Sequence, residues 1–162
     1  MDRAPPVLDA ANAAFITSGV AIVVAGRDAD HLPTAVRAVG CRVAPDNRRV
    51  AVFVPRSQAT QVLENVRENR EIAAVFCQPS THRTIQIKSR DAVLVAVAPD
   101  DLAGIVAQTD RFIADIAKLG HAAELARAVV SYAPADLVGI EFAPHAAFAQ
   151  TPGPRAGERL AT

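Results

Sequence analysis

Apolar positions divide the chain into short strands with helices between them. Near the start, Ala11, Ala14 and Phe15 recur at helical spacing and Gly19 lies where a helix would end, so a short N-terminal helix is predicted within residues 1–19. Runs rich in β-branched residues and bounded by turn residues predict strands. The predicted strands cover residues 20–24, 34–43, 50–54, 72–77, 84–97 and 137–142.

Three further helices are predicted from a 3.6-residue apolar period. Pro55 ends the strand before the first of them, and Asp100 is suited to cap the second. The second and third helices form a pair that precedes the last predicted strand. The three helices cover residues 57–69, 100–120 and 122–132.

Two features interrupt the regular pattern. Asp91 is expected to bend or bulge the long strand 84–97. From Pro144 onward the chain is rich in proline and glycine, so residues 144–162 are predicted to form an irregular tail. Strands at hairpin spacing with helices among them predict one mainly β, antiparallel domain of the α+β class over residues 1–162, a small closed barrel whose ends the helices cover.

Composition and charge narrow the classes of partner. With 51% hydrophobic residues, the chain can bury a core without disulfides or a structural metal. Its 17 basic and 17 acidic residues provide no positive field, so we expect neither a nucleic-acid nor a membrane partner. The uncharged stretch 10–26 contains polar residues and is too short for a membrane span, and the first ten residues do not have the pattern of a secretory signal.

The cysteines and the common catalytic motifs limit the chemistry further. Cys41 and Cys77 lie far apart in apolar segments, which predicts two buried, unbridged thiols and a reducing, cytoplasmic location. The sequence contains no GxGxxG, GxxxxGK[ST], HExxH or GxSxG motif, so Rossmann and P-loop enzymes are excluded. His121 and Glu124 would share a helix face, but such a pair is typical of a helix surface, and no metal site is predicted.

Three segments carry the remaining candidate chemistry. In the first, Arg37 shares a strand face with small apolar residues; it needs an anionic ligand or an acidic partner, unless it lies at a sheet rim with its head in water. The second passes from a strand into a helix, where hydroxyls, N–H groups and the helix dipole beside an arginine suit a phosphate, the alternative being an ordinary capped helix. It comprises Arg56, Ser57, Gln58, Ala59 and Thr60.

The third segment, residues 82–88, alternates so that one face of a strand is polar. His82, Thr84, Gln86 and Lys88 share this face, and isoleucines share the other. A planar heterocycle with ring acceptors and an imide would use such a ladder of donors and acceptors. The alternative is the solvated outer face of a sheet.

Five stretches follow one another in a characteristic order: AVRAV (35–39), FVPRS (53–57), ENVREN (64–69), IAAVF (72–76) and RTIQIK (83–88). Their order and spacing resemble the pyridoxamine 5′-phosphate oxidase-like flavin-binding split barrels. The resemblance covers about residues 15–98, and the TPGP segment (151–154) is similar to the tail of small uncharacterised members.

The resemblance implies a homodimeric split barrel with two FMN molecules in clefts between the subunits. Carried over to this sequence, three residues lie along the isoalloxazine ring, four lie at or beside the helix start that serves the phosphate, and three line the opposite wall. In that order they are Arg37, Ala38 and Val39; Arg56, Ser57, Gln58 and Thr60; and Thr84, Gln86 and Lys88.

Two departures from the family pattern argue against vitamin B6 oxidation. The oxidases typically have an Arg-Lys pair shortly after the serine, where this chain has Gln58, Ala59 and Thr60. They also carry a substrate-binding Arg and His near the C-terminus, whereas this chain ends RLAT (159–162). The expected function is an FMN-dependent oxidoreductase acting on an unknown small molecule. The alternatives are a noncatalytic flavin-binding or ligand-sensing dimer, and a member of the same fold that binds haem or a deazaflavin or has lost its cofactor.

Overall fold

Two antiparallel β-sheets form the body of the protein in a computed structural model that describes residues 7–160. Nine strands and four α-helices lie within this range. The strands are β1 (Ala21–Arg27), β2 (Pro33–Ala38), β3 (Gly40–Val43), β4 (Val50–Pro55), β5 (Ile72–Cys77), β6 (Thr84–Ser89), β7 (Val93–Val95), β8 (Leu137–Phe142) and β9 (Ala146–Ala149). The helices are α1 (Ala10–Ile16), α2 (Thr60–Asn69), α3 (Pro99–Ala117) and α4 (Ala123–Val129). The predicted α+β class with antiparallel sheets is confirmed.

The chain passes repeatedly from one sheet to the other. One sheet has five strands in the order β2-β1-β5-β6-β9, and the other has four in the order β3-β4-β8-β7. Strands β2 and β3 are separated only by Val39, yet they belong to different sheets. Strands β6 and β7 are also consecutive along the chain but belong to different sheets, and so are β8 and β9. The predicted strands 34–43 and 84–97 are therefore each two strands that meet at a corner of the barrel.

Asp91 fixes one of these corners. Its Oδ1 accepts hydrogen bonds from the Ala143 backbone N–H at 2.8 Å and from the Ser89 hydroxyl at 2.9 Å. Asp91 lies between β6 and β7, and Ala143 lies between β8 and β9, so one carboxylate joins two corners. The prediction that Asp91 bends the strand is confirmed.

One main hydrophobic core lies between the sheets, and α2 contributes Val62, Leu63 and Val66 to it as predicted. Strand β4 is buried along its whole length because it has a core on each side. Its valines face the main core, whereas Phe53 packs in a second cluster with Ile105 of α3.

Gln108 of α3 is buried and holds the edge strand β3. Its side-chain amide accepts from the Cys41 backbone N–H at 2.9 Å and donates to the Cys41 carbonyl at 2.6 Å. Gly19 adjoins the same helix at a φ of +92°, and a Cβ there would lie 2.5 Å from the Arg111 Cβ. Glycine therefore permits the close approach of α3, whereas α1 itself already ends at Ile16 with Thr17 as its C-cap, two residues before the predicted stop at Gly19. Residues 1–6 of the predicted N-terminal segment lie outside the described residues.

Three sequence predictions need correction. The predicted helix 57–69 begins as a short 3₁₀ helix, Arg56–Gln58, and α2 starts only at Thr60 with Ala59 at its N-cap position. Part of the predicted irregular tail is strand β9, which covers the edge of β6 and buries Ala147. Cys77 is half-buried rather than buried, because it faces away from the core. Both cysteines are unbridged, as predicted.

Within residues 7–160, no helix has the length and apolar character needed to cross a membrane.

Candidate functional site

The five-stranded sheet turns one face away from the core, and we call this its outer face. A central row of side chains crosses it at one register level. Arg37 and Val23 in this row are exposed, Val23 by 37%, and the others are half-buried. The row runs Arg37, Val23, Val75, Gln86 and Phe148.

The next row of the outer face consists mainly of alanines. Ala35, Ala25 and Ala73 lie beside Lys88 of β6 and Ala146 of β9 at the same register level. Small side chains on four of five strands leave a shallow floor beside the central row. A flat molecule can lie against such a floor without displacing side chains.

Arg37 lies on β2, which is the edge strand of the sheet, and its side chain is exposed. Among the described residues it makes no hydrogen bond or ion pair. This is the geometry expected of an arginine at a sheet rim. Ala38 and Val39 are buried and contribute to the two cores, so a ligand beside β2 would meet their backbone rather than their side chains.

Residues Thr84, Gln86 and Lys88 share the outer face, as their alternation predicts. The Thr84 hydroxyl donates to the His82 carbonyl at 2.9 Å, and the Lys88 Nζ lies 5.4 Å from the centre of the Phe148 ring. The Gln86 amide makes no hydrogen bond to other described residues. Gln86 is therefore the member of the ladder whose donors and acceptor are both open to a ligand.

Arg37 and Gln86 belong to one face, not to two opposed walls of the same chain. They occupy the same row on β2 and β6, three strand spacings apart, which corresponds to roughly 14 Å. The five-stranded sheet of one chain therefore supplies a single wall for a ligand that contacts both residues.

The predicted phosphate segment lies on the Arg37 side of the sheet. The Val39 backbone N–H donates to the Phe53 carbonyl at 2.8 Å, so the end of β2 adjoins β4 shortly before residues 56–60. Arg56, Gln58 and Thr60 are exposed there. The structure thus places this segment beyond the end of β2 and leaves residues 84–88 on the other half of the sheet.

Ser57 already binds an anionic group. Its hydroxyl donates to the Asp136 carboxylate at 2.5 Å, and its backbone N–H donates to the other carboxylate oxygen at 3.1 Å. Asp136 ends a short 3₁₀ helix, Pro134–Asp136, directly before β8. Asp136 is not predicted as a site residue from the sequence, because no local pattern connects two residues 79 positions apart.

Two pockets open on the outer face at opposite ends of β1. One, of about 290 Å³, is lined by Arg37, Ala21, Pro79, His121 and apolar residues of α3 and α4. The other, of about 480 Å³, is lined by Arg27, Lys88 and neighbouring residues of β5, β6 and β9. In the described part of the chain, no three His, Cys, Asp or Glu residues are placed to hold a metal ion.

The sequence matches no family model and no curated protein. Solved structures nevertheless share its fold. A candidate pyridoxamine 5′-phosphate oxidase from Lactobacillus delbrueckii has a TM-score of 0.54 at 14% identity, over 92% of this chain and 100% of that chain. HupZ from Group A Streptococcus has a TM-score of 0.54 at 14% identity, over 92% and 99%. An F420 reductase has a TM-score of 0.50 at 15% identity, over 83% and 93%. The fold is that of the pyridoxamine 5′-phosphate oxidase-like split barrels, and the resemblance predicted from the sequence is confirmed at the level of the fold.

Proposed function

We propose that this protein binds a flavin-type cofactor, FMN, on the outer face of the five-stranded sheet and acts as a flavin-dependent oxidoreductase. The observation that carries the proposal is that Arg37 and Gln86, whose polar groups have no partner among the described residues, flank a floor of small apolar side chains. A planar heterocycle with polar edges is the ligand that uses both features.

The residues of the outer face fit a flavin ring better than residues 56–60 fit its phosphate. The ring can lie on Val23 and the alanines of one subunit, with its polar edges toward Arg37 of that subunit and Gln86 of the partner subunit. The donors of Ser57, in contrast, are engaged by Asp136, so a phosphate there has to displace that carboxylate. The bound flavin supplies hydride or electron transfer. The residues of the chain orient the ring and exclude water from its face.

A homodimer is part of the proposal. Val23 and Val75 expose apolar surface on the outer face while the other face of the same strands packs in the core, and a sheet apolar on both faces is normally covered. An isologous pairing covers this face on both subunits at once. With the two-fold axis along the strands, Arg37 of one subunit faces the β6 side of the other, which supplies the second wall of each cleft.

A fluorescence titration of the purified protein with FMN and riboflavin tests the cofactor proposal. We expect both flavins to bind, and Arg37→Met to weaken binding about tenfold because one charge-assisted contact is lost. Arg67→Met is the matched control, since Arg67 is an exposed arginine on α2. If neither flavin binds, the proposal fails, and titrations with a deazaflavin and with haem then test the alternatives.

Turnover is tested separately by stopped-flow reduction of the flavin-loaded protein with NADH and NADPH. Reduction at a rate above that of free FMN supports the oxidoreductase. A protein that binds flavin but leaves the rate unchanged supports the noncatalytic flavin-binding dimer instead.

A further inference from the structure

The 290 Å³ pocket at the Arg37 end of β1 has walls from both the sheet and the helical pair. The sheet contributes Ala21 and Arg37, and the turn after β5 contributes Pro79. The two helices contribute apolar side chains, which are Phe112, Ile116, Leu125, Ala126 and Val129. The volume is near the lower end of the range for small-molecule sites, about 300–1,000 Å³. The pocket therefore has room for one aromatic ring with a short side chain.

The charge in this pocket has one sign. Among the described residues that line it, Arg37 is positively charged, His121 has polar ring nitrogens, and none is acidic. The Arg37 guanidinium makes no hydrogen bond or ion pair with the described residues. An apolar cavity bordered by one unpaired guanidinium favours an apolar ligand that carries a single negative charge.

A narrow recess adjoins the pocket, since Ala21, Arg37 and Phe112 line both. Its volume of about 10 Å³ has room for one water-sized atom. Thr109 of α3 lines the recess, and its buried hydroxyl has no hydrogen-bond partner among the described residues. The amide of Gln108, which also lines the recess, is already bonded to the backbone of β3. The Thr109 hydroxyl therefore needs an oxygen atom from outside the protein.

We propose that the pocket and its recess bind the substrate of the proposed flavin-dependent oxidoreductase, and that this substrate is a small apolar monocarboxylate. One carboxylate oxygen accepts from the Thr109 hydroxyl in the recess, and the other accepts from the Arg37 guanidinium. The apolar body lies in the wide part of the pocket, against α3 and α4. A dianion would leave one negative charge in the cavity without a partner.

The inference rests on the proposed function in one respect, the position of the flavin ring. Ala21 of the pocket and Val23 under the ring are consecutive outer-face residues of β1, roughly 7 Å apart. Arg37 lies at the boundary, and its five N–H donors allow contact with the ring edge and with the carboxylate together. The described residues that line the pocket include none of the floor alanines. The ligand is therefore placed beside the flavin and not in its position.

Calorimetric titration of the flavin-free protein with phenylacetate and with its uncharged analogue phenylacetamide tests the pocket. We expect phenylacetate to bind about tenfold more tightly, because only the carboxylate makes a charge-assisted contact with Arg37. The result does not depend on the cofactor proposal, since no flavin is present. Phenylacetate that fails to bind at millimolar concentration, or that binds no better than phenylacetamide, overturns the inference.

Thr109→Val distinguishes a binding role from a structural one. Valine keeps the shape of the side chain and removes a buried hydroxyl that has no partner, so the melting temperature should not fall. Phenylacetate should nevertheless bind about fivefold more weakly, while the affinity for FMN stays unchanged. Thr17→Val is the control, because Thr17 at the end of α1 lies outside both cavities. A recess that holds only a water molecule would leave the affinity of Thr109→Val for phenylacetate unchanged, which overturns the inference.

Val129→Asp tests the wide part of the pocket. The new carboxylate lies in the lining and competes with the ligand for Arg37, so phenylacetate should bind about tenfold more weakly. Val106→Asp is the matched control, because Val106 is an exposed valine of α3 outside the pocket. Equal losses of affinity in the two variants would contradict the assignment.

The position beside the flavin is tested with the FMN-loaded protein. Phenylacetate should shift the visible absorption of bound FMN without releasing it, because a carboxylate near the ring changes its electrostatic surroundings. Thr109→Val should need about fivefold more phenylacetate for the same shift. Release of FMN, or binding without a spectral change, overturns the substrate role. A protein that binds phenylacetate but no flavin keeps the ligand class and loses the substrate role, so the two proposals fail in distinguishable ways.

Discussion

Ser57 and Asp136 form a two-point hydrogen-bonded pair, in which the Ser57 hydroxyl and backbone N–H each donate to one carboxylate oxygen. The pair ties the turn before α2 to the turn before β8. The carboxylate thus uses the donors that the sequence assigns to an FMN phosphate. Phosphate binding at this position has to compete with a negative charge that belongs to the protein.

Asp136→Asn should therefore improve the binding of FMN relative to riboflavin. The substitution keeps the size of the side chain and removes the charge that repels a phosphate, so we expect a gain of about fivefold for FMN and none for riboflavin. Fluorescence titrations with the two flavins measure the ratio. Asp110→Asn, on the exposed face of α3, is the control. An equal change for both flavins would contradict a phosphate position at Ser57.

Val23→Asp should separate the proposed homodimer into single chains. A carboxylate at the centre of the outer face would have to be desolvated in the interface, at a cost that the neighbouring Arg37 guanidinium does not offset, and this opposes association. Val106→Asp is a matched control, because Val106 is an exposed valine on α3. Light scattering after gel filtration should give twice 17.0 kDa for the wild type and for Val106→Asp, but 17.0 kDa for Val23→Asp. A wild type that is monomeric at micromolar concentration refutes the dimer.

The two cysteines should differ in reactivity. Burial raises the pKa of the Cys41 thiol, which also donates to the Ile16 carbonyl at 3.1 Å, so it should not react in the native protein. Cys77 shares the outer face with Val75 and should be protected in the dimer but react in Val23→Asp. Thiol titration should give two free groups after denaturation. In Cys77→Ser only the Cys41 thiol remains, and its rapid reaction under native conditions would contradict the burial of Cys41.

Asp115 should make stability fall in acid. Burial by itself raises the pKa of this carboxyl, but hydrogen bonds from the Ser80 hydroxyl and N–H and from Lys118 outweigh it, so the net pKa lies below its usual range. A carboxyl with a lowered folded-state pKa contributes stability above its unfolded value, about 3.9, and loses it as pH falls through the folded pKa.

Asp115→Asn should cost about 1–2 kcal/mol at pH 7, because the charged hydrogen bonds to Ser80 are weakened. The difference from the wild type should shrink as pH drops below about 4. Urea unfolding at several pH values measures it, with Asp110→Asn as the control on the same helix. A difference that stays constant from pH 7 to pH 3 would rule out the role given to Asp115.

Local periodicity predicted most elements but not the corners between them. Residues 34–43 have the pattern of one strand, and residues 84–97 have the pattern of one strand that bends at Asp91, so neither pattern shows that the chain changes sheet. The change of sheet at Val39 depends on its bond to Phe53, and the change at Asp91 depends on Ala143. These partners are distant in sequence, and a periodic pattern contains no information about them.

In the candidate site too, the sequence predicts the local features but not the contacts between distant residues. A period of two was enough to place Thr84, Gln86 and Lys88 on one face, because alternation fixes which side of a strand a residue occupies. Their distance from Arg37 depends on the strand order, and the carboxylate at Ser57 depends on Asp136. Neither can be deduced from spacing along the chain.

The central claim is that each flavin is held by the outer faces of two subunits. Arg37 and Gln86 are roughly 14 Å apart in one chain, so each cleft should use Arg37 from one subunit and Gln86 from the other. Arg37→Ala and Gln86→Ala homodimers should each bind FMN about tenfold more weakly than the wild type, since every cleft lacks one contact.

Mixing the two variants tests this claim most directly. After dissociation and reassociation, each heterodimer would have one cleft with both substitutions and one with neither, so about a quarter of all clefts in the mixture should regain the wild-type affinity for FMN. Fluorescence titration should show this tight-binding class in the mixture and in neither variant alone. A mixture that binds FMN no better than its two components would contradict a flavin site shared between subunits.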